Sequence, residues 1–161
     1  PISSFAKADQ GVYQCIITSP LFPGMVLKSA PTTLLGVATI SGTLLVNGTT
    51  PATEGAVQLL KITEGGYDSI PNTPLSVQGD GTFTLQNILL DKYLLVGLAD
   101  TLTYDQALPT DVPGTAYWEE ADTIDVVDNM PGLDITTVFK PDDQLTGEGL
   151  LFGVEQEDEF T

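Results

Sequence analysis

The chain predicts an all-β protein made of antiparallel β-sandwiches in tandem, and three observations carry that prediction. No stretch holds a helical period for more than about ten residues, whereas short apolar-alternating segments recur between turn signals. Eleven prolines and sixteen glycines punctuate the 161 residues into such segments. A hydrophobic content of 42% then gives those segments enough apolar surface to close a core.

The stretch that anchors the pattern is Asp80–Gly97, DGTFTLQNILLDKYLLVG. Asp80-Gly81 is a tight-turn signal, and Phe83 and Leu85 alternate with Thr82, Thr84 and Gln86. A break is expected at Asn87–Lys92, followed by a compact apolar run at Tyr93–Ala99. The two runs read as strands folded back on one core. Upstream, Ile40–Val46 and Ala56–Ile62 read as strands, separated by a polar turn over Asn47–Gly55 and followed by a Gly65-Gly66 turn. Ile70–Val77 is a weaker segment that Pro71 and Pro74 consign to an edge. Downstream, Thr101–Leu108 is a further edge candidate, and Thr123–Val127 and Leu133–Phe139 close the series. About seven strands at this spacing make residues 39–140 one antiparallel sandwich.

Residues 1–38 read differently. Asp9–Cys15 is D-Q-G-V-Y-Q-C, with Tyr13 two residues ahead of Cys15. Ile16 and Ile17 continue the strand, Ser19–Gly24 makes a loop, and Met25–Val37 supplies a last strand. This resembles the final two strands of an immunoglobulin-like domain, in which a corner tyrosine precedes the second cysteine of the inter-sheet disulfide. The resemblance implies that Cys15 has its disulfide partner outside this chain, formed in an oxidising compartment. A free, buried cysteine acting as a small hydrophobe is the other reading.

In residues 39–140 the order Ile40-Ser41-Gly42-Thr43, Ala56-Val57-Gln58-Leu59, Asp80-Gly81-Thr82-Phe83, Ile88-Leu89 and Tyr93-Leu94-Leu95 is similar to the pattern of carboxypeptidase regulatory-like, transthyretin-like sandwiches. Leu108–Val126 looks like the variant found in large secreted proteins of Bacteroidota. Asp91 stands where that pattern has a turn glycine, a swap Asp tolerates by entering left-handed backbone. The resemblance implies a non-catalytic stalk or filament segment of a secreted surface adhesin. Its neighbours would be other domains of the same polypeptide, with a glycan or host ligand held at a distant tip and export through a dedicated outer-membrane machinery. It also implies O-glycosylation at Asp-Ser/Thr triplets, which places Ser69, Thr101 and Thr123 as acceptors. About one such triplet is expected by chance. Residues 141–161 read as a linker, Pro141–Gln144, and the first strand of a following module, Gly147–Val154. Gly36–Thr39 reads as the linker on the other side.

Charge excludes several function classes. The formal net charge is −17, with five cationic side chains against 22 acidic ones and no His. Most of the imbalance lies in residues 101–161. Such a surface repels phosphate, so binding of nucleic acid or insertion at an anionic membrane is not expected. Without His, a hydrolytic triad lacks its usual base, and a sandwich with short loops offers no cleft across which a glycosidase's two acids could face each other. No enzyme activity and no cofactor are expected. Zinc lacks thiol and imidazole ligands. Glu119, Glu120, Asp122, Asp125 and Asp128 are the one calcium-like cluster, but their spacing is irregular and reads as solvated surface; no metal is expected.

Two local readings remain. Tyr117-Trp118 is read first as an end-plug of the sandwich with the indole N–H bonded to a loop carbonyl, and alternatively as a carbohydrate-binding platform. Some pilin and adhesin sandwiches form a Lys–Asn or Lys–Asp isopeptide bond with a Y-x-L-x-E signature. Here Tyr93 and Leu95 match, but Gly97 occupies the acid position, so no such bond is expected.

Overall fold

The computed structural model describes residues 5–140. Within them the fold is all-β, and no helix is long and apolar enough to cross a membrane. Four short strands form an N-terminal ribbon: β1 (Gly11–Tyr13), β2 (Ile16–Thr18), β3 (Val26–Lys28) and β4 (Thr32–Leu34). β1 pairs antiparallel with β4 and β2 with β3, so the segment is one long hairpin turned at Ser19–Gly24. The runs expected as strands on either side of the Ser19–Gly24 loop are thus paired with each other.

The sandwich begins at β5 (Val37–Val46), which starts immediately after Gly36. Gly36–Thr39 is therefore no linker; Val37 is already in the ladder, opposite Leu89. Along β5, Ala38, Ile40, Leu44 and Val46 are buried, the period of two expected of a strand with one face on the core. An Asn47-Gly48 turn, both residues at positive φ, leads to β6 (Thr50–Pro51). β7 (Gly55–Thr63) follows and turns at Glu64-Gly65 into β8 (Gly66–Ser69). The expected edge strand over Ile70–Val77 is reduced to β9 (Leu75–Ser76), because the two prolines leave only its end free to pair. The edge is instead made chiefly by β8, one segment earlier.

β10 (Thr82–Leu89) and β11 (Lys92–Ala99) are the pair singled out in sequence. They do not form a hairpin. β10 pairs with β5, and β11 pairs with β7, so the two residues Leu90-Asp91 carry the chain from one sheet to the other. The strand also runs through the expected break. A bulge between Leu85 and Ile88, with Asn87 at φ 58°, resets the alternation so that Phe83, Leu85 and Ile88 all face inward. Asp91 is not left-handed; its carboxylate instead pairs with Lys61 at 2.8 Å.

Thr101–Leu108 is a succession of turns with one bridge, Ala107 to Phe139, rather than a strand. β12 (Thr110–Asp111) and β13 (Ile124–Asp125) pair in line along the free edge of β11. Finally β14 (Ile135–Thr136) lies against β5, in parallel. One sheet thus runs β10-β5-β14 with β6 attached, and the other β12-β11-β7-β8 with β13 and β9. Ile40, Leu44, Leu59, Phe83, Tyr93, Leu95 and Ile135 fill the space between them and are essentially inaccessible to water. Among the described residues the antiparallel expectation gives way at β14 and at the parallel bridge from Met130 to Ile40.

Candidate functional site: the two poles of the sandwich

The register fixes where the chain enters and leaves the sandwich. Val37 pairs with Leu89, and Lys92 follows two residues beyond Leu90, so the start of β5, the end of β10 and the start of β11 share one pole. β14 runs parallel to β5 with Ile135 opposite Leu44, near the other end of a ten-residue strand. Phe139 then bridges Ala107, and the Lys140 N–H donates to the Gln106 carbonyl, in the turns that follow β11. At about 3.3 Å per residue the two poles are roughly 30 Å apart.

Between the poles, residues 129–137 are laid directly along β5. The Met130 N–H donates to Thr39 O (2.9 Å), Ser41 N–H to Met130 O (3.0 Å), Leu133 N–H to Ser41 O (3.0 Å) and Thr137 N–H to Leu45 O (2.8 Å). Where the backbone bows away, side chains take over: the Thr39 N–H donates to Asn129 Oδ1 (2.8 Å) and the Thr43 N–H to Asp134 Oδ1 (2.9 Å). Gly42 makes the approach possible. A Cβ there would stand 2.1 Å from the Leu133 carbonyl oxygen. Sequence reading missed this seam, because Asn129 and Asp134 look like members of an acidic surface until the parallel pairing is known.

The proximal pole holds the ribbon. The Gln10 amide bridges both sides, its Nε2 donating to Leu90 O (3.0 Å) and its Oε1 accepting from the Gly36 N–H (3.0 Å). The Leu90 N–H donates to Gly36 O (3.1 Å), and Lys7 Nζ pairs with Asp125 at 2.6 Å. Gly36 is hemmed in by Leu90 and Phe5, both closer than 3 Å to where its Cβ would be. Gln10 was not singled out in sequence; a lone Gln beside a turn carries no motif.

On the ribbon, the Tyr13 hydroxyl donates to Asp9 O at 2.6 Å, the back-bond of a tyrosine corner. Register puts Tyr13 on the same face as Thr32 and Leu34, and Ile17 on the same face as Leu27, with the pairing shifted by one residue between the two strand pairs. All are exposed here except by their own hairpin, and Cys15 is an exposed free thiol, not a buried hydrophobe.

Ser69, Thr101 and Thr123 are all exposed, Ser69 on β8 and the others in turns or loop. Gly97 faces the core, where a Cβ would lie 2.6 Å from Leu44 Cδ1 and 2.9 Å from Ile135 Cγ2, so there is no space for a carboxylate. Lys61, on β7 opposite Tyr93, is half-exposed and engaged by Asp91, whose carboxyl its hydrogen bond holds below the usual range. The five acids of the calcium-like cluster disperse: Asp125 pairs with Lys7, Glu120 accepts from the Thr115 hydroxyl, and Asp128 accepts from the Asn129 N–H. Among the described residues no three such side chains converge on a metal position. Asp111, on β12, is buried, and burial pushes its carboxyl above the ordinary aspartate value.

Tyr117 and Trp118 overturn the end-plug reading. They are 67% and 58% exposed, in and before a single 3-10 turn, Trp118–Glu120. Among the described residues no partner accepts a hydrogen bond from the Trp118 indole; instead its ring meets Tyr67 edge-on, with centroids 6.0 Å apart at 74°. The end of the sandwich is closed by smaller residues, among them Ala52, Ala99 and Ala107.

No family profile matches the chain, and no curated protein matches it in sequence. Among solved structures, it is similar to a variant of BcpA, the major pilin subunit of Bacillus cereus, at 18% identity and a TM-score of 0.37, over 82% of this chain and 38% of the pilin.

Proposed function

We propose that the chain is a non-catalytic, tension-bearing spacer segment of a multidomain surface protein. The ribbon would be the end of an immunoglobulin-like domain, residues 39–140 a transthyretin-like module, and residues 141–161 the approach to a third. The observation that carries this reading is the seam between β5 and residues 129–137. The chain enters at the start of β5 and leaves at the end of β14, so a pull on the two ends slides these parallel segments past one another. Every hydrogen bond along the seam is then loaded together rather than one at a time. Carbohydrate display fits the same reading, with Ser69, Thr101 and Thr123 as exposed acceptors for O-glycans in a Bacteroidota-type source.

The ribbon supports the neighbouring domain. Its apolar side chains Tyr13, Ile17, Leu27 and Leu34 are bare, and a second sheet carrying the partner cysteine would cover them. The tests are mechanical and chemical. Pulling between Leu35 and Lys140 loads the seam in shear; pulling between Gly48 and Lys140, both at the distal pole, peels it. The expected unfolding force is several-fold higher in the first geometry. Equal forces would remove the tension-bearing reading. For the neighbouring domain, Cys15 is expected to react with a thiol reagent in this chain and to be protected in the longer polypeptide. A reactive Cys15 in the longer polypeptide would sink that part.

A further inference from the structure

The loop after β12 does something the spacer reading does not use. Leu94 and Val96 on β11 are buried although Tyr93, Leu95 and Gly97 are the residues that face the core. Their burial on the opposite face means that residues 112–122 run across the outside of that sheet. The Val112 N–H donates to Leu95 O and the Asp122 N–H to Val112 O, tying both ends of the loop to one place. The loop carries Trp118 as far as Tyr67 on β8, on the other side of β7.

The result is an aromatic corner on the outer surface. Tyr67, Tyr117 and Trp118 are 45%, 67% and 58% exposed, and none belongs to the core. The edge-to-face contact with Tyr67 holds the indole in one attitude while leaving most of it in water. Beside it stand the carboxylates of Glu119 and Glu120, the latter oriented by the Thr115 hydroxyl at 3.1 Å. Thr115 also accepts from the Tyr117 N–H, so aromatic and carboxylate share one support.

We propose that this corner binds carbohydrate, of the neutral or amino-sugar class. A pyranose ring presents a weakly polar face of C–H groups and a rim of O–H donors. The first suits the open indole and phenol faces, and the second suits carboxylates that can only accept. Uronic and sialic acids are rejected by the same carboxylates, on a chain of net charge −17. The two sugar kinds share the stacking face; an amine adds an ion pair to Glu119 or Glu120.

Trp118 is the chain's only tryptophan, so its emission reports directly on the site. Titration with cello-, manno- and chitosan-oligosaccharides up to millimolar concentration is expected to shift that emission saturably with at least one of them. Calorimetry with the same ligand is expected to lose all heat in Trp118→Ala and to weaken at least about tenfold in Tyr67→Ala. Circular dichroism should show both variants folded, since neither side chain is in the core. Four outcomes overturn the proposal: no response to any probe, binding that survives Trp118→Ala, tighter binding of polygalacturonate than of the neutral oligomers, or tighter binding of a lysine-rich peptide than of any sugar. None of them touches the spacer reading, which rests on the opposite sheet.

Discussion

At the scale of single residues, two glycines decide how closely the sheets and seams approach. Gly42 lets the Leu133 carbonyl come to where its own Cβ would be, and Gly97 lets Leu44 and Ile135 meet across the core. Their substitutions should differ. At Gly97 the obstacles are ends of buried side chains, so Gly97→Ala is expected to cost about 1–3 kcal/mol, the usual range for overpacking. At Gly42 the obstacle is backbone, so Gly42→Ala should cost more and release β14; urea unfolding of both variants measures the order. Asp111 supplies a second prediction. Its folded carboxyl is raised above the unfolded value of 3.8 by burial. In that window the native state holds more protons than the unfolded state, so stability falls as pH climbs from 3.8 through the folded pKa. Asp111→Asn is expected to remove this fall and to be the more stable protein at neutral pH, as thermal melts between pH 3 and 7 would show. Neither glycine role was legible in sequence except as a negative at Gly97, where the missing acid was read correctly but the packing reason was not. The burial of Asp111 was not legible, because in an acid-rich stretch nothing local tells a buried carboxylate from a solvated one.

At the scale of elements, the strands were legible and their partners were not. The local pattern locates β7 and β11 to within a residue at each end and β5 and β10 to within three, since burying one face of a pleated strand demands alternation. Pairing is a long-range choice. β10 and β11 look like a hairpin because they are two residues apart, yet neither Leu90 nor Asp91 takes the positive φ that a two-residue hairpin turn requires, and the chain crosses to the other sheet instead. The parallel placement of β14 was likewise unreadable, since nothing local distinguishes the two directions. The bulge at Gln86-Asn87 hid the true length of β10 by breaking the alternation at the place where it is reset. The joint between ribbon and sandwich shows the same limit, because it draws on Gln10, a side chain that belongs to no motif. Gln10→Ala removes two half-buried hydrogen bonds worth about 0.5–1.5 kcal/mol each. The sandwich should keep its melting temperature, because no core residue is touched. The ribbon should lose its fixed angle. A nitroxide on Cys15, read against a second label at Glu64, is expected to give a narrow distance distribution in the wild type and a broad one in Gln10→Ala. A distribution of unchanged width would mean that the Gly36–Leu90 contact and the Lys7–Asp125 pair hold the joint alone.

At the scale of the whole molecule, charge and mechanics meet. With 22 acidic side chains and five cations, the chain repels itself, and both of its resolved ion pairs are half-exposed. Those pairs are worth little individually, so the net effect of dissolved salt is set by the repulsion. Raising ionic strength shortens the Debye length from about 30 Å at 0.01 M to about 3 Å at 1 M. The former spans the whole distance between the poles and the latter only neighbouring side chains. The melting temperature is therefore expected to rise with sodium chloride over that range, against the fall that a fold held by ion pairs would show. The seam should respond little, because its bonds are between backbone and neutral or singly anchored groups. Unfolding under load in the shear geometry is thus expected to vary less with salt than the thermal midpoint does. Asp134 offers the control: it is one acid fewer when changed to Asn, yet Asn keeps the acceptor for the Thr43 N–H. Asp134→Asn should raise the low-salt melting temperature slightly and leave the shear force unchanged, whereas Asp134→Ala should lower the force at every salt concentration. If both variants lower the force alike, the carboxylate's charge, not its place in the seam, is what resists the pull.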